Sequence, residues 1–150
     1  MSESQQAEAP RTPTKRGGAP ATRGRTTIAD GVVEKIAGLA ARDVVGVHAM
    51  GSGLARTLGA VRERVPGGGR SATVTRGVKA EVGEVQTAVD LEIVVDYGVA
   101  IADVARSVRE NVISAVERMT GLEVVEVNIA VSDVKLPDEV DEEEEEPRLH

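Results

Sequence analysis

Residues Thr87–Val134 read TAVDLEIVVDYGVAIADVARSVRENVISAVERMTGLEVVEVNIAVSDV, a strand, a helix and a strand in succession that carry most of the apolar surface available for a core. Val89, Leu91, Ile93, Val95 and Tyr97 alternate with Asp90, Glu92, Val94 and Asp96. That period of two gives a strand one buried face. From Ile101 the period changes, and Ile101, Val104, Ala105, Val108, Val112, Ala115, Val116 and Met119 recur at steps of three and four. They line one side of a helix, which Gly121 stops. Its polar side holds Asp103, Arg106, Arg109, Glu110, Ser114, Glu117 and Arg118, with Asp103–Arg106 and Glu110–Ser114 spaced to meet. Asn111 sits at the border of the stripe, where an amide either reaches a neighbouring loop or faces water. In the last strand, Val125, Val127, Ile129 and Val131 are expected on the core face, with Val124, Glu126, Asn128 and Ala130 opposite.

Moving outward toward the N-terminus, Val78, Ala80 and Val82 alternate with Lys79 and Glu81. A short break at 83–86 joins this strand to the next, which predicts an antiparallel hairpin with one buried face. Upstream, TTIADGVVEKIAGLAARD (Thr26–Asp43) places Ile28, Val32, Ile36, Leu39 and Ala40 on one helical face. Thr27 followed by Asp30 resembles a capping box. Gly31 and Gly38 weaken a helix interior unless they let it lie close to a sheet. VVGVHAM (Val44–Met50) predicts a short strand with a weak point at Gly46.

The pattern breaks over residues 51–77. GSGLARTLGAVRERV carries Leu54, Leu58 and Val61 at helical spacing, and PGGGRS follows as a linker. The glycines match neither a dinucleotide fingerprint nor a phosphate loop, and no strand-to-helix junction aims a dipole at them. The stretch is better described as a basic loop: Arg56, Arg62, Arg64, Arg70 and Arg76 face only Glu63 as an opposing charge. Its expected partner is acidic, namely membrane phosphate, RNA, another protein or the chain's own tail.

Both ends read as tails. Residues 1–25 are rich in Pro, Gly, Ser and Thr, with Arg11, Lys15, Arg16, Arg23 and Arg25, and they lack the apolar content that ordering requires. Residues 137–150 hold eight acidic side chains against one arginine, which equals the whole formal net charge of −7. The expected organisation is thus a basic arm at 1–25, one α+β domain at 26–136 and an acidic tail at 137–150. Such charge blocks act on partners at long range more than they specify a fold.

Composition removes several functions. The 150 residues contain no Cys, no Trp and no Phe, and a single Tyr. Disulfides, thiolate catalysis and sulfur-ligated zinc are excluded together. Stacking platforms for single-stranded nucleic acid are nearly absent. His48 has no second ligand at metal spacing, and an ordinary half-buried or exposed histidine is the simpler reading. Asp90, Glu92 and Asp96 alternate onto a solvent face, and no other element is seen to bring a second carboxylate for acid–base work. No cofactor and no catalytic residue is expected. The N-terminal 25 residues contain no apolar h-region, and no apolar run approaches the roughly 20 residues that cross a bilayer. A cytoplasmic protein is the expectation.

The segments IAGLAARDVVGVHAM, TRGVKAEVGE, VDLEIVVDYGVAIADVARSVRENV and MTGLEVVEVNIAV, in that order, resemble the alkaline shock protein, or Gls-type envelope stress response, family of bacteria. The likeness spans about residues 26–134. The Arg-rich loop and both tails depart from the family pattern, which bears on partner choice. The resemblance implies a cytoplasmic, non-enzymatic protein of envelope stress or homeostasis that self-associates and is held at the membrane by a membrane-spanning partner. It implies no catalytic residues.

The expected architecture is a two-layer α+β sandwich, with a mixed, mainly antiparallel four-stranded sheet covered on one face by two main helices, in the order α-β-(short α)-β-β-α-β. Asp90, Glu92, Glu126 and Asn128 mark the uncovered face as an interaction surface. Arg56, Arg62, Arg64, Arg70 and Arg76 mark a site for an anionic partner. The rival reading is a KH-like nucleic-acid module using the Arg-rich loop. A KH domain requires a GxxG loop between two helices, a spacing that Gly53 and Gly59 do not give.

Overall fold

A computed structural model describes residues 18–51 and 74–140. A short 3-10 turn (Pro20–Thr22) precedes α1 (Asp30–Arg42), β1 (Val47–Met50), β2 (Val78–Val82), β3 (Gln86–Asp96), α2 (Ile101–Thr120) and β4 (Glu123–Lys135). The sheet is mixed: β1 and β2 pair antiparallel to β3, and β4 pairs parallel to it. Two helices cover one face, so the expected α+β architecture is the one observed. The short helix expected within 51–77 lies outside the described residues.

β3 is the axis of the sheet. β4 runs along one of its edges over the full length, from Gln86↔Glu123 to Asp96↔Lys135. The other edge is shared end to end, with β1 opposite Ile93–Val95 and β2 opposite Thr87–Leu91. Between them stands Glu92, which accepts from the Gly51 N–H at 2.6 Å and donates to the Gly77 carbonyl at 2.9 Å. β1 and β2 are therefore one edge, interrupted where the chain leaves at Gly51 and returns at Gly77. Both glycines have positive φ, 86° and 75°. A Cβ on Gly77 would run into the Gly51 backbone and lie 2.9 Å from the Glu92 carbonyl oxygen.

The core is built of valine and alanine, as a chain without Phe or Trp must build it. Val104, Val108, Val112 and Val116 form the buried stripe of α2 and meet Val89, Leu91, Ile93 and Val95 of β3. At the end of α2, Gly121 takes the left-handed cap (φ 77°), and its N–H donates to the Glu117 carbonyl. The expected Arg106–Asp103 pair is present at 2.8 Å on the exposed side.

α1 departs from expectation by about one residue of rotation. Its buried positions are Val33, Ala37, Gly38, Ala40 and Ala41, while Val32 and Leu39 remain 46% and 57% exposed. Two contacts fix that rotation. Small side chains let α1 lie close against its neighbours, and a Cβ on Gly38 would strike the Val74 carbonyl. Asp30 and Glu34, one turn apart, accept hydrogen bonds from the backbone N–H groups of Val82 and Ala80, both at 3.1 Å. Asp30 thus serves the outer edge of β2, and the expected capping box does not form: the N-cap is Ala29, without a side-chain bond.

Asn111 reaches across to α1, where its amide donates to the Ala40 carbonyl at 2.7 Å. That carbonyl lies in the last turn of α1, where helical partners run out. Asn111→Ala is expected to lower stability by about 1–2 kcal/mol, since it strands a part-buried acceptor. Urea unfolding measures the loss; a change within error would show that water replaces the amide at no cost.

Two bulges alter the register of β4. Thr87 pairs with Val124 but Ala88 pairs with Glu126, so Val125 is the extra residue. Val124 therefore takes the core position and Val125 is left 50% exposed, the reverse of simple alternation. A second shift beyond Ile93↔Val131 passes Ser132, whose hydroxyl lies 3.4 Å from the Ile93 carbonyl.

Candidate interaction face

Alternation along three strands assembles the face of the sheet that the helices leave open. β2 contributes Lys79 and Glu81, β3 contributes Ala88, Asp90 and Glu92, and β4 contributes Glu126, Asn128 and Ala130. Register places them in rows: Lys79, Asp90 and Asn128 lie side by side, as do Glu81, Ala88 and Glu126. Asn128 ties the acids together. Its amide donates to Asp90 at 2.9 Å and to Glu126 at 2.6 Å. Since one NH2 group engages both carboxylates, their rotamers are held while their remaining lone pairs stay directed at solvent. Glu92 and Ala130 form the next row, beside the Gly51–Gly77 neck.

The expected residues Asp90, Glu92, Glu126 and Asn128 thus fall on one face. Arg76 is half-buried just before the neck, and Arg56, Arg62, Arg64 and Arg70 lie outside the described residues. Lys79 is the cation brought into the acidic rows. The sequence signal for its placement is its alternation with Val78 and Ala80.

A shallow depression of about 370 Å³ is lined by Gly77, Val78, Lys79, Asp90, Leu91, Glu92 and Ala130 and is open to solvent. A larger one, about 490 Å³, lies where Arg25–Ile28 cross the β2–β3 turn and Leu122; its ionisable groups are Arg25 and Glu84. Among the described residues, no group of three or more His, Asp or Glu side chains is arranged to hold a metal ion. His48 does acquire a partner that sequence spacing could not give: its Nδ1 lies 3.2 Å from an Asp96 carboxylate oxygen at the far end of β3. A bulge between Val47 and Ala49 sets His48 there.

No described helix is long and apolar enough to cross a membrane. Among known proteins, a stress response regulator gls24 homolog of Streptococcus pyogenes is 37% identical over 123 residues, covering 82% of this chain. The chain spans 65% of that relative's length. The uncharacterised Bacillus subtilis protein YqhY is 34% identical over 112 residues, covering 72% of this chain and 75% of its own length. YloU of the same organism, also uncharacterised, is 32% identical over 119 residues, covering 75% and 90%. No solved structure matches. Residues 18–136 match the model of the alkaline shock, Gls24-type family, described as having a cell envelope-related function. The chain belongs to that family.

Proposed function

We propose that this protein is a non-enzymatic scaffold or adaptor of the envelope stress response, self-associating and acting at the cytoplasmic side of the membrane through a membrane-anchored partner. The observation that carries this reading is the open sheet face, on which Asp90, Glu92 and Glu126 are presented together with Asn128 bridging two of them. Preset carboxylates on a flat surface recognise a basic protein segment, because complementary charge steers the encounter and fixes orientation. Family membership and the stress response regulators among the relatives support the envelope setting. The basic arm and Arg-rich stretch add an electrostatic attraction to anionic headgroups.

Charge reversal tests the proposal. The variant Glu92→Lys/Glu126→Lys replaces two acids on a solvated face and is expected to fold normally. In cells, its recovery with the membrane fraction should fall by roughly tenfold relative to wild type, the scale expected when a charged docking surface is inverted. Unchanged recovery of the reversed variant, or no membrane recovery of wild type, would overturn the reading.

A further inference from the structure

Among the described residues, side chains engage the outward backbone groups of β2 and of both ends of β4, and they leave one short run of β4 without such contacts. On β2, Asp30 and Glu34 occupy the outward N–H groups of Val82 and Ala80. At the start of β4, Glu117 accepts from the Val124 N–H at 3.1 Å and Arg109 donates to the Val127 carbonyl at 3.2 Å. At its end, Asp133 accepts from the Val134 N–H at 2.8 Å. These contacts fix which β4 residues turn their backbone away from β3. With Val127 facing outward, strand alternation turns Ile129 and Val131 outward as well. No hydrogen bond reaches the backbone of Ile129 or Val131 on that side among the described residues.

The composition of the run is as unusual as its exposure. Natural edges are blunted by charges and prolines. From Val127 to Ser132 the sequence is VNIAVS, six residues without either. Ile129 and Val131 are only half-buried at the margin of the core, and bulges at Val125 and Ser132 bound the run.

We propose that this edge pairs antiparallel with the same edge of a second copy, about a twofold axis at Ile129. The occupant is identified by register. With the axis there, Val127 meets Val131 of the other copy, Ile129 meets itself, and Asn128 meets Ala130. Further out, Glu126 meets Ser132 and Asp133 meets Val125, so a chain of formal charge −7 brings no two acids opposite each other. Pairing would satisfy the outward groups of Ile129 and Val131 and the Val127 N–H, the Val127 carbonyl already accepting from Arg109; it would also cover the half-buried Ile129 and Val131 and join two acidic faces into one continuous surface. The inference deepens the self-association proposed above and rests on it.

Because the chain contains no cysteine, single cysteines report contacts without background. Directly opposed residues of a non-hydrogen-bonded antiparallel pair have Cα atoms about 4.5 Å apart, within disulfide range. Asn128→Cys and Ala130→Cys full-length proteins, mixed under mild oxidation, should yield a covalent heterodimer, while each alone should yield little. In sedimentation equilibrium, Asn128→Lys/Ala130→Lys sets like charges opposite each other twice and should weaken the dimer by about tenfold or more. Asn128→Lys/Ala130→Glu sets opposite charges there and should return it to near wild type. Circular dichroism checks that all variants fold. A protein that self-associates but shows neither the cross-link nor the charge pattern overturns the edge and spares self-association. Cross-linking within the Asn128→Cys protein alone indicates another register and also overturns it. A strictly monomeric wild type removes both.

Discussion

Gly77→Ala is expected to lower the stability of the domain by roughly 3 kcal/mol, among the largest effects of any single methyl group in this chain. Two independent terms add. The φ of 75° lies in the left-handed region, where a side chain costs about 1–2 kcal/mol. The added Cβ would also meet backbone, the Gly51 main chain and the Glu92 carbonyl oxygen, rather than a flexible side chain that can swing away. Relief would require separating Gly51 from Gly77, which breaks the bonds that Glu92 makes to both. Thermal unfolding should show a midpoint lower by about 10 °C or more for a domain of this size. A drop of only a few degrees would mean that β1 and β2 are not held as one continuous edge.

Ile93→Ala should cost a comparable amount, about 3 kcal/mol within the range for large-to-small core substitutions. Ile93 is fully buried at the centre of β3, opposite Met50 of β1 on one side and Val131 of β4 on the other. Its neighbours are mostly valines, stiff at χ1 and slow to fill a void. Denaturant titration reads the loss as a lower midpoint at unchanged slope. A cost below about 1 kcal/mol would show that the core collapses around the missing atoms.

What the sequence revealed depended on how each element buries its residues. α2 was legible because its stripe is long and its buried centre is four valines at steps of four, although Ile101 and Met119 at its ends are exposed. The β2–β3 hairpin and the faces of β3 from Val89 to Ile93 followed from alternation, which grouped Asp90 and Glu92 with Glu126 and Asn128; beyond Ile93 the pattern fails, with Val94 buried and Tyr97 exposed. α1 misled because its true face is made of Ala and Gly, which carry little hydrophobic signal. Its rotation is set by Asp30 and Glu34 reaching a strand roughly fifty positions away. In β4 the bulge at Val125 inverted the assignment of two valines, since alternation assumes an unbroken pleat. The shared β1–β2 edge and the His48–Asp96 contact are products of topology. Neither leaves a local trace.

At the centre of the proposed function is a surface on which other chains, including copies of this one, assemble. Sedimentation velocity of the purified full-length chain, from low to high concentration, tests this most directly. Growth with concentration into species larger than the 15.7 kDa monomer is the predicted result. One species at the monomer mass across the whole range would contradict it.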